Sequence, residues 1–355
     1  MQFTFDALPT RVVFGAGTFA RLAEEVDRLG AKRVLLVGTH GRSELLQRAK
    51  EELGARIAGI FNEAVIHVPA EIAARGRSAA ALNGADCLVA IGGGSAIGAA
   101  KAIAVTANLP IVAVPTTYSG SEVTPIWGLT QDGLKTTARD SRVQPRTVIY
   151  DPELTLNLPV PISGASGMNA IAHCVESMYA PDANPITTLM AEEGIRSLAA
   201  ALPVIVGAPG NIDARTTALY GAWLGGSVLG MVQMGLHHKL CHTLGGSFDL
   251  PHAETHAVLL PYTAEYNAPS AVEAMSRVAG ALGVRNGPVG LFELGRQLPI
   301  PHSLAELGIR EDDLDRAAEL AVEQPYPNPR PVTREGVLSI LRKALEGAQP
   351  DSIRP

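Results

Sequence analysis

The chain has 355 residues, 46% hydrophobic and 18% charged, with 29 basic against 35 acidic side chains and a net charge of −6. That length implies about two domains, each able to bury its own core, and the composition excludes a disordered chain. A general nucleic-acid binder needs a basic face and a membrane span needs a long pure apolar run; the chain offers neither, so a small-molecule partner is expected.

Up to about Leu158, β-rich runs alternate with helical ones. RVVFG (Arg11 to Gly15), KRVLLVG (Lys32 to Gly38), ARIAGIF (Ala55 to Phe61), DCLVAIGG (Asp86 to Gly93), PIVAVPTT (Pro110 to Thr117) and TVIYD (Thr147 to Asp151) read as strands. FARLAEEVDRLGA and RSELLQRAKEELGA carry apolar residues every three or four positions, as one helix face requires. Such alternation implies a parallel sheet covered on both faces. Within this half, LVAIGGGSAIGAAKAIA runs from an apolar strand through Gly92, Gly93, Gly94 and Ser95 into an alanine-rich helix. Glycines let a phosphate reach the backbone, and the helix start offers it unpaired N–H groups. The next strand leads into VPTTYSGSEVTP, whose Thr116, Thr117, Ser119 and Ser121 supply hydroxyls at the carboxyl edge of the sheet, where they could hold ribose or pyrophosphate. FGAGTF near the N-terminus only partly resembles a dinucleotide fingerprint.

After PVPISG the strands give way to helices. AEEGIRSLAAALPVIV, ARTTALYGAWLGGSVLGMVQ, AVEAMSRVAGALGV, PVGLFELGRQL, EDDLDRAAELAVE and TREGVLSILRKALEG all read as helical, with Asp312 and Thr333 as N-caps of the last two. VEQPYPNPRPV is too rich in proline to be anything but a loop. Five of the nine histidines fall between His237 and His256, and His173 lies upstream. Asn169 and His173 are four apart, as are His238 and His242, so each pair can share a helix face, and GGSFDLP can turn the chain back to bring His252 to the group. Several imidazoles around one cavity suit either proton transfer or a transition metal. The expected architecture is an α/β dinucleotide-binding domain with a parallel Rossmann-like sheet over 1–158, then an all-α domain over 159–355 that carries the histidines, with the active site in the cleft between. Cys87, Cys174 and Cys241 are widely spaced without a CxxC pair, and the start MQFTFDALPTRVVFG lacks signal-peptide character, so packing cysteines and a cytoplasmic protein are expected.

GGGS opening a helix, then AxAHxxE, then HxxxHxxGxxxxxPH, in this order and spacing, resemble the iron-containing alcohol dehydrogenase family over nearly the whole chain. The resemblance implies a divalent metal held by an Asp, the His four residues later and two histidines fourteen apart. The histidines fall on His173, His238 and His252, but Asn169 occupies the Asp position, and a neutral carboxamide is a poor ligand for these metals. Gly98 stands where the family often has Asp, and HHKLCH carries charge where alcohol dehydrogenases usually have small apolar residues. SGMNAIAHCVESMYAP and GLHHKLCHTLGGSFDLPHAETHAVLLP are most similar to the branch of the family that reduces maleylacetate without a metal.

What that branch implies is an NAD(P)H-dependent oxidoreductase of aromatic-compound degradation, a homodimer, reducing the C=C bond of maleylacetate to give 3-oxoadipate. The partner is then a small dianionic keto acid. His242 is expected as general acid, His173, His238 and His252 as further catalytic residues, and Asn169, Lys239 and His237 as substrate-binding. Gly38, Gly93, Gly94, Ser95, Thr116, Thr117 and Ser119 are expected to bind the dinucleotide. No carboxylate follows the second strand at Gly38, Thr39 and His40 to reject a 2′-phosphate, so NADH with tolerance of NADPH is expected. The rival readings are a metal-dependent alcohol dehydrogenase of the same family, a lyase of the dehydroquinate synthase type, and a non-catalytic binding protein.

Overall fold

The structure, a computed structural model, describes residues 2–131 and 134–351. It divides into two compact units, one spanning Ala7–Leu158 and the other running from Pro159 onward and also taking in the N-terminal residues through Asp6, which the sequence reading had placed in the first domain.

The first unit is built on the order β1 (Arg11–Phe14), α1 (Leu22–Arg28), β2 (Val34–Val37), α2 (Ser43–Leu53), β3 (Ile57–Phe61), α3 (Ala70–Leu82), β4 (Cys87–Gly92), α4 (Gly94–Ala107), β5 (Ile111–Pro115), β6 (Ile126–Gln131), β7 (Leu134–Arg139) and β8 (Thr147–Tyr150). Six strands form one sheet in the order β1-β8-β5-β4-β2-β3, and every pairing in it is parallel. The runs VLLV, CLVAIG and IVAVP are buried at every position, as a sheet covered on both faces demands. β5, β4 and β2 are neighbours, so the loops after them, at Thr116, Gly93 and Gly38, lie side by side at one edge of the sheet.

β6 and β7 form a separate antiparallel hairpin with Gln131 opposite Leu134, which the sequence reading did not anticipate. The signal was the Asp132–Gly133 dipeptide between two runs rich in branched residues, a two-residue hairpin pattern. The partial fingerprint FGAGTF is also accounted for. Gly17 and Phe19 donate their N–H groups to the Asp151 carboxylate at 3.2 and 2.9 Å, so this turn is closed by the protein itself.

The second unit contains α5 (Val160–Ser177), α6 (Pro185–Gly207), α7 (Ile212–Met231), α8 (Leu236–Phe248), α9 (His252–Asn267), α10 (Val272–Leu282), α11 (Gly287–Arg296), α12 (Glu311–Val322) and α13 (Arg334–Glu346). α5 is buried from Ser163 through Ser177. Two neighbours approach it where glycine removes the side chain: a Cβ at Gly194 would lie 2.7 Å from Cys174 Sγ, and one at Gly225 2.7 Å from Ala170 O. Cys174 is thus a packing residue, and all three cysteines are buried free thiols. Thr333 caps α13, accepting from Gly336 N–H at 3.0 Å. Asp312 does not cap α12. That helix starts at Glu311 after Arg310, and Asp313 is the acid that reaches back, accepting Arg310 N–H at 3.0 Å. Glu311, Asp312 and Asp313 all sit in the first turn, where the helix dipole favours negative charge.

One buried amine, whose pKa burial lowers to about 7, organises the hydroxyl-rich loop of the first unit. Lys101 on α4 is fully buried, and its Nζ donates to Ser121 O (2.6 Å), Thr124 O (2.7 Å), Thr124 Oγ1 (3.0 Å) and Ile126 O (2.7 Å). Glu122, buried in the same loop, accepts from Ser119 Oγ at 3.2 Å and Tyr150 OH at 2.9 Å. Stranding a buried carbonyl costs about 1–3 kcal/mol. Lys101→Met should therefore destabilise the first unit by roughly 3 kcal/mol, read as a lower urea midpoint with an unchanged slope; an unaltered midpoint would refute this role.

Candidate active site

In the first unit, the strand-to-helix turn after β4 has the form a phosphate needs. Gly92 takes φ 144°, a conformation that L side chains rarely adopt. A Cβ at Gly93 would lie 2.9 Å from Thr117 Cγ2 and 3.0 Å from its Oγ1, so glycine keeps this surface open to the backbone. The first-turn N–H groups of α4, from Gly94 onward, have no acceptor within the helix. Facing them, the Oγ1 atoms of Thr116 and Thr117 are buried without hydrogen-bond partners. Buried hydroxyls left unpaired beside a glycine turn and a helix start fit the phosphates and ribose of a dinucleotide. Gly38 donates to Phe61 O at 2.9 Å, and a Cβ there would meet Leu46 Cδ2 at 2.9 Å, so it is held by packing at the same edge. Gly98 is small for a local reason, since a Cβ would lie 2.9 Å from Val68 Cγ2.

In the second unit, α5, α8 and α9 bring the histidines together. α5 carries Asn169, His173 and Glu176; α8 carries His237, His238 and His242; α9 begins at His252 and carries His256. Asp249, in the left-handed region at φ 55°, ends α8 and turns the chain into α9 within three residues. The rings of His173 and His238 stack with centroids 5.3 Å apart, His242 and His252 stack at 6.3 Å, and His238 stands 6.2 Å from His242. His256 is 4.4 Å from His252 and 4.8 Å from His238. His242 and His252 are exposed, while Asn169, His173, His238 and His256 are buried, so the cluster runs from solvent inward.

Glu176 is the one carboxylate built into this group. Its Oε1 accepts His237 N–H at 2.8 Å, its Oε2 accepts His238 N–H at 3.3 Å, and the same oxygen makes a short contact with His238 Nδ1. A side chain on α5 thereby caps the first turn of α8 and fixes the His238 ring. Burial pushes the Glu176 carboxyl up, but His238 and His237 outweigh it and its pKa lies below the usual value. Gly235 makes this approach possible: a Cβ there would lie 2.5 Å from Pro327 O and 3.4 Å from Glu176 Oε1. Burial, aided by the neighbouring imidazoles, holds His173 and His256 well below the ordinary histidine pKa and His237 at about 3 despite Glu176, so all three are neutral near pH 7.

Among the described residues, Asn169 Oδ1, His173 Nδ1, His238 Nε2 and His256 Nε2 are buried without a hydrogen-bond partner. Four such atoms in one cluster mark a place built for a ligand. Of the residues singled out in the sequence, His173, His238, His242 and His252 come together here, and Asn169 stands one turn before His173 on α5. Lys239 is half-exposed and, one residue beyond His238, is turned about 100° away around the helix. His237 has both ring nitrogens engaged by protein, Nδ1 by Thr263 Oγ1 at 2.9 Å and Nε2 by His256 Nδ1 at 2.9 Å, which places it behind the ligand-facing rings. Sequence reasoning gave no role to three contributors: Glu176, the last residue of the AxAHxxE motif; His256, one of the five clustered histidines and one turn after His252; and Lys101, six residues into α4 from Ser95.

Family comparison agrees with this geometry in both units. Residues 9–152 match the model described as iron-containing alcohol dehydrogenase, and residues 163–345 match its C-terminal counterpart. Maleylacetate reductase of Burkholderia cepacia is 53% identical over 348 residues, covering 98% of this chain and 99% of that protein. Maleylacetate reductase of Sphingobium indicum is 53% identical over 350 residues, covering 99% of each. The crystal structure of maleylacetate reductase from Agrobacterium tumefaciens superimposes with a TM-score of 0.95 at 50% identity, over 99% of this chain and 100% of that one. Matched along both units and at this level of identity, the chain belongs to the iron-containing alcohol dehydrogenase family and is an oxidoreductase.

Proposed function

We propose that the protein reduces the C=C bond of maleylacetate to give 3-oxoadipate, with NADH as reductant, NADPH tolerated and no metal. The observation that carries this reading is the group of unpartnered buried polar atoms on Asn169, His173 and His238, in a cluster whose carboxylate among the described residues, Glu176, is already spent on His238. A dianion meets no free negative charge there. The likeness to maleylacetate reductases over the full chain supports the same substrate.

A divalent cation does not suit this donor set. Asn169 offers a neutral carboxamide, and among the described residues the candidate ligand group, with its atoms all within 4.8 Å of one another, is His237, Cys241 and His256. The chemistry is therefore assigned to side chains alone. Bound NADH supplies a hydride equivalent for the alkene carbon β to the ketone. Gly93, Gly94 and Ser95 hold its phosphates through backbone N–H groups, Thr116, Thr117 and Ser119 offer hydroxyls to it, and Gly38 leaves room at the neighbouring strand end. His173 and His238 face the carboxylates and the oxygen on which enolate charge develops, and Asn169 orients a carboxylate. His242, at the exposed end, donates the proton to the carbon between the new CH₂ and the ketone and regains one from water.

Consumption of NADH with maleylacetate, followed spectrophotometrically before and after exhaustive chelation, tests the whole reading. Equal rates are expected; activity lost on chelation and restored by iron or zinc would favour the metal-dependent alternative. His242→Ala should lower turnover by ~10²–10⁴, and a change confined to the Michaelis constant would make His242 a binding residue instead. Asn169→Asp places a second charge near a substrate carboxylate, a repulsion of a few kcal/mol at about 4 Å and an effective dielectric of about 20. Its Michaelis constant for maleylacetate should rise roughly tenfold or more, with metal uptake detectable by elemental analysis; neither change appearing would refute the assignment of Asn169.

A further inference from the structure

Behind the ligand-facing rings runs a buried chain of hydrogen bonds that the mechanism above does not use. Thr263 Oγ1 lies 3.2 Å from Leu259 O and 3.1 Å from Leu260 O, one turn back on α9. Assigning its single proton to those carbonyls leaves the hydroxyl oxygen to accept from His237 Nδ1, 2.9 Å away. On that assignment His237 carries its proton on Nδ1, and its Nε2 is a bare acceptor. That atom takes His256 Nδ1–H at 2.9 Å, with the Cys241 thiol 3.7 Å away. The direction of donation thus passes one ring further: His256 is protonated on Nδ1 and its Nε2 holds a lone pair. Thr263, His237 and His256 are all fully buried, so water does not compete for these bonds.

His256 Nε2 is itself buried and has no partner. The ring lies 4.4 Å from His252, 4.8 Å from His238 and 6.2 Å from His173, which puts that lone pair among the residues assigned to the substrate. A buried acceptor left unpaired costs free energy that a ligand can return.

We propose that His256 is a further ligand-binding residue whose Nε2 accepts a hydrogen bond from the enol hydroxyl of the bound keto acid, and that His237 and Thr263 are positioning residues that fix its tautomer. This rests on the reading of the cluster as a keto-acid site. A 3-oxo acid enolises by moving a proton from the carbon between its ketone and carboxylate to the ketone oxygen, and that O–H is the hydrogen that a lone pair at this place accepts. The closeness of His237, Cys241 and His256 is on this account a hydrogen-bonded array rather than a metal site.

The tautomer is read directly by ¹⁵N NMR of histidine-labelled full-length protein. The wild type should show a ring with a protonated Nδ1 and bare Nε2 that disappears in His256→Gln, and His237→Phe should release that ring to a mixture of tautomers. A protonated Nε2 on His256 in the wild type would overturn the proposal whatever the substrate. In kinetics with maleylacetate, His256→Leu should lower kcat/KM about tenfold, the effect of one buried hydrogen bond, with the Michaelis constant for NADH unchanged. His256→Gln, which keeps an acceptor, should recover part of the loss. Unchanged kcat/KM in His256→Leu would also overturn it, as would a cobalt(II) charge-transfer band that depends on Cys241. If the wild type leaves NADH untouched with maleylacetate, the substrate reading fails, while the NMR result still decides the tautomer.

Discussion

The bond between the Glu176 carboxylate and the start of α8 is the constraint on which the site depends. A charge buried as deeply as this one must be paired and hydrogen-bonded, or it would neutralise. Here two backbone N–H groups and the His238 ring satisfy it at once. One interaction sets where α8 begins, how it meets α5, and which His238 nitrogen faces the ligand. The stacking of His173 on His238 follows from that register, since both rings stand on helices that the carboxylate ties together. A partner of this kind, taking the far nitrogen of a histidine, is familiar behind metal ligands. On the function proposed above, it holds an imidazole for substrate instead.

On the proposed function the two units handle negative charge by different means. The first would meet phosphate with backbone N–H groups and small side chains, where Gly92 and Gly93 leave the main chain open and Lys101 holds the following loop in shape. The second would meet carboxylates with side chains, through imidazoles and a carboxamide. Neither solution needs net positive charge on the protein, consistent with a chain that is acidic overall. Within the histidine cluster, burial divides the labour. Burial keeps His173, His237 and His256 neutral, while His242 and His252 stand at the exposed end, in reach of water.

Much of this was legible in the sequence because it rests on local pattern. The sheet strands are short apolar runs, four of the six ending in glycine or threonine, and the spacings of four residues place Asn169 with His173 and His238 with His242 on shared helix faces. The glycine turn could be read as a phosphate site because strand, glycines and helix follow one another without a gap. What stayed hidden depends on contacts between distant segments. Glu176 meets His238 across 62 positions, and Lys101 meets Ile126 across 25. No spacing rule in one chain marks such pairs. His237 was read as a substrate residue because it sits beside His238, yet neighbouring helical positions look in different directions, and Thr263 and His256 claim both its nitrogens. The error at Asp312 is of a simpler kind: with three acids in succession, composition could not say which one reaches back to Arg310.

The glycine at position 235 has a consequence for how the enzyme can diversify. It is squeezed between the carbonyl of Pro327 and the Glu176 carboxylate, so the proline-rich stretch from Val322 to Val332 buttresses the anchor from outside. Lengthening or reshaping that stretch would be felt at the catalytic imidazole through a single carbonyl, with no ligand-contacting side chain replaced. Variation in the buttress is thus a route by which relatives could retune reactivity while every residue that touches substrate stays the same.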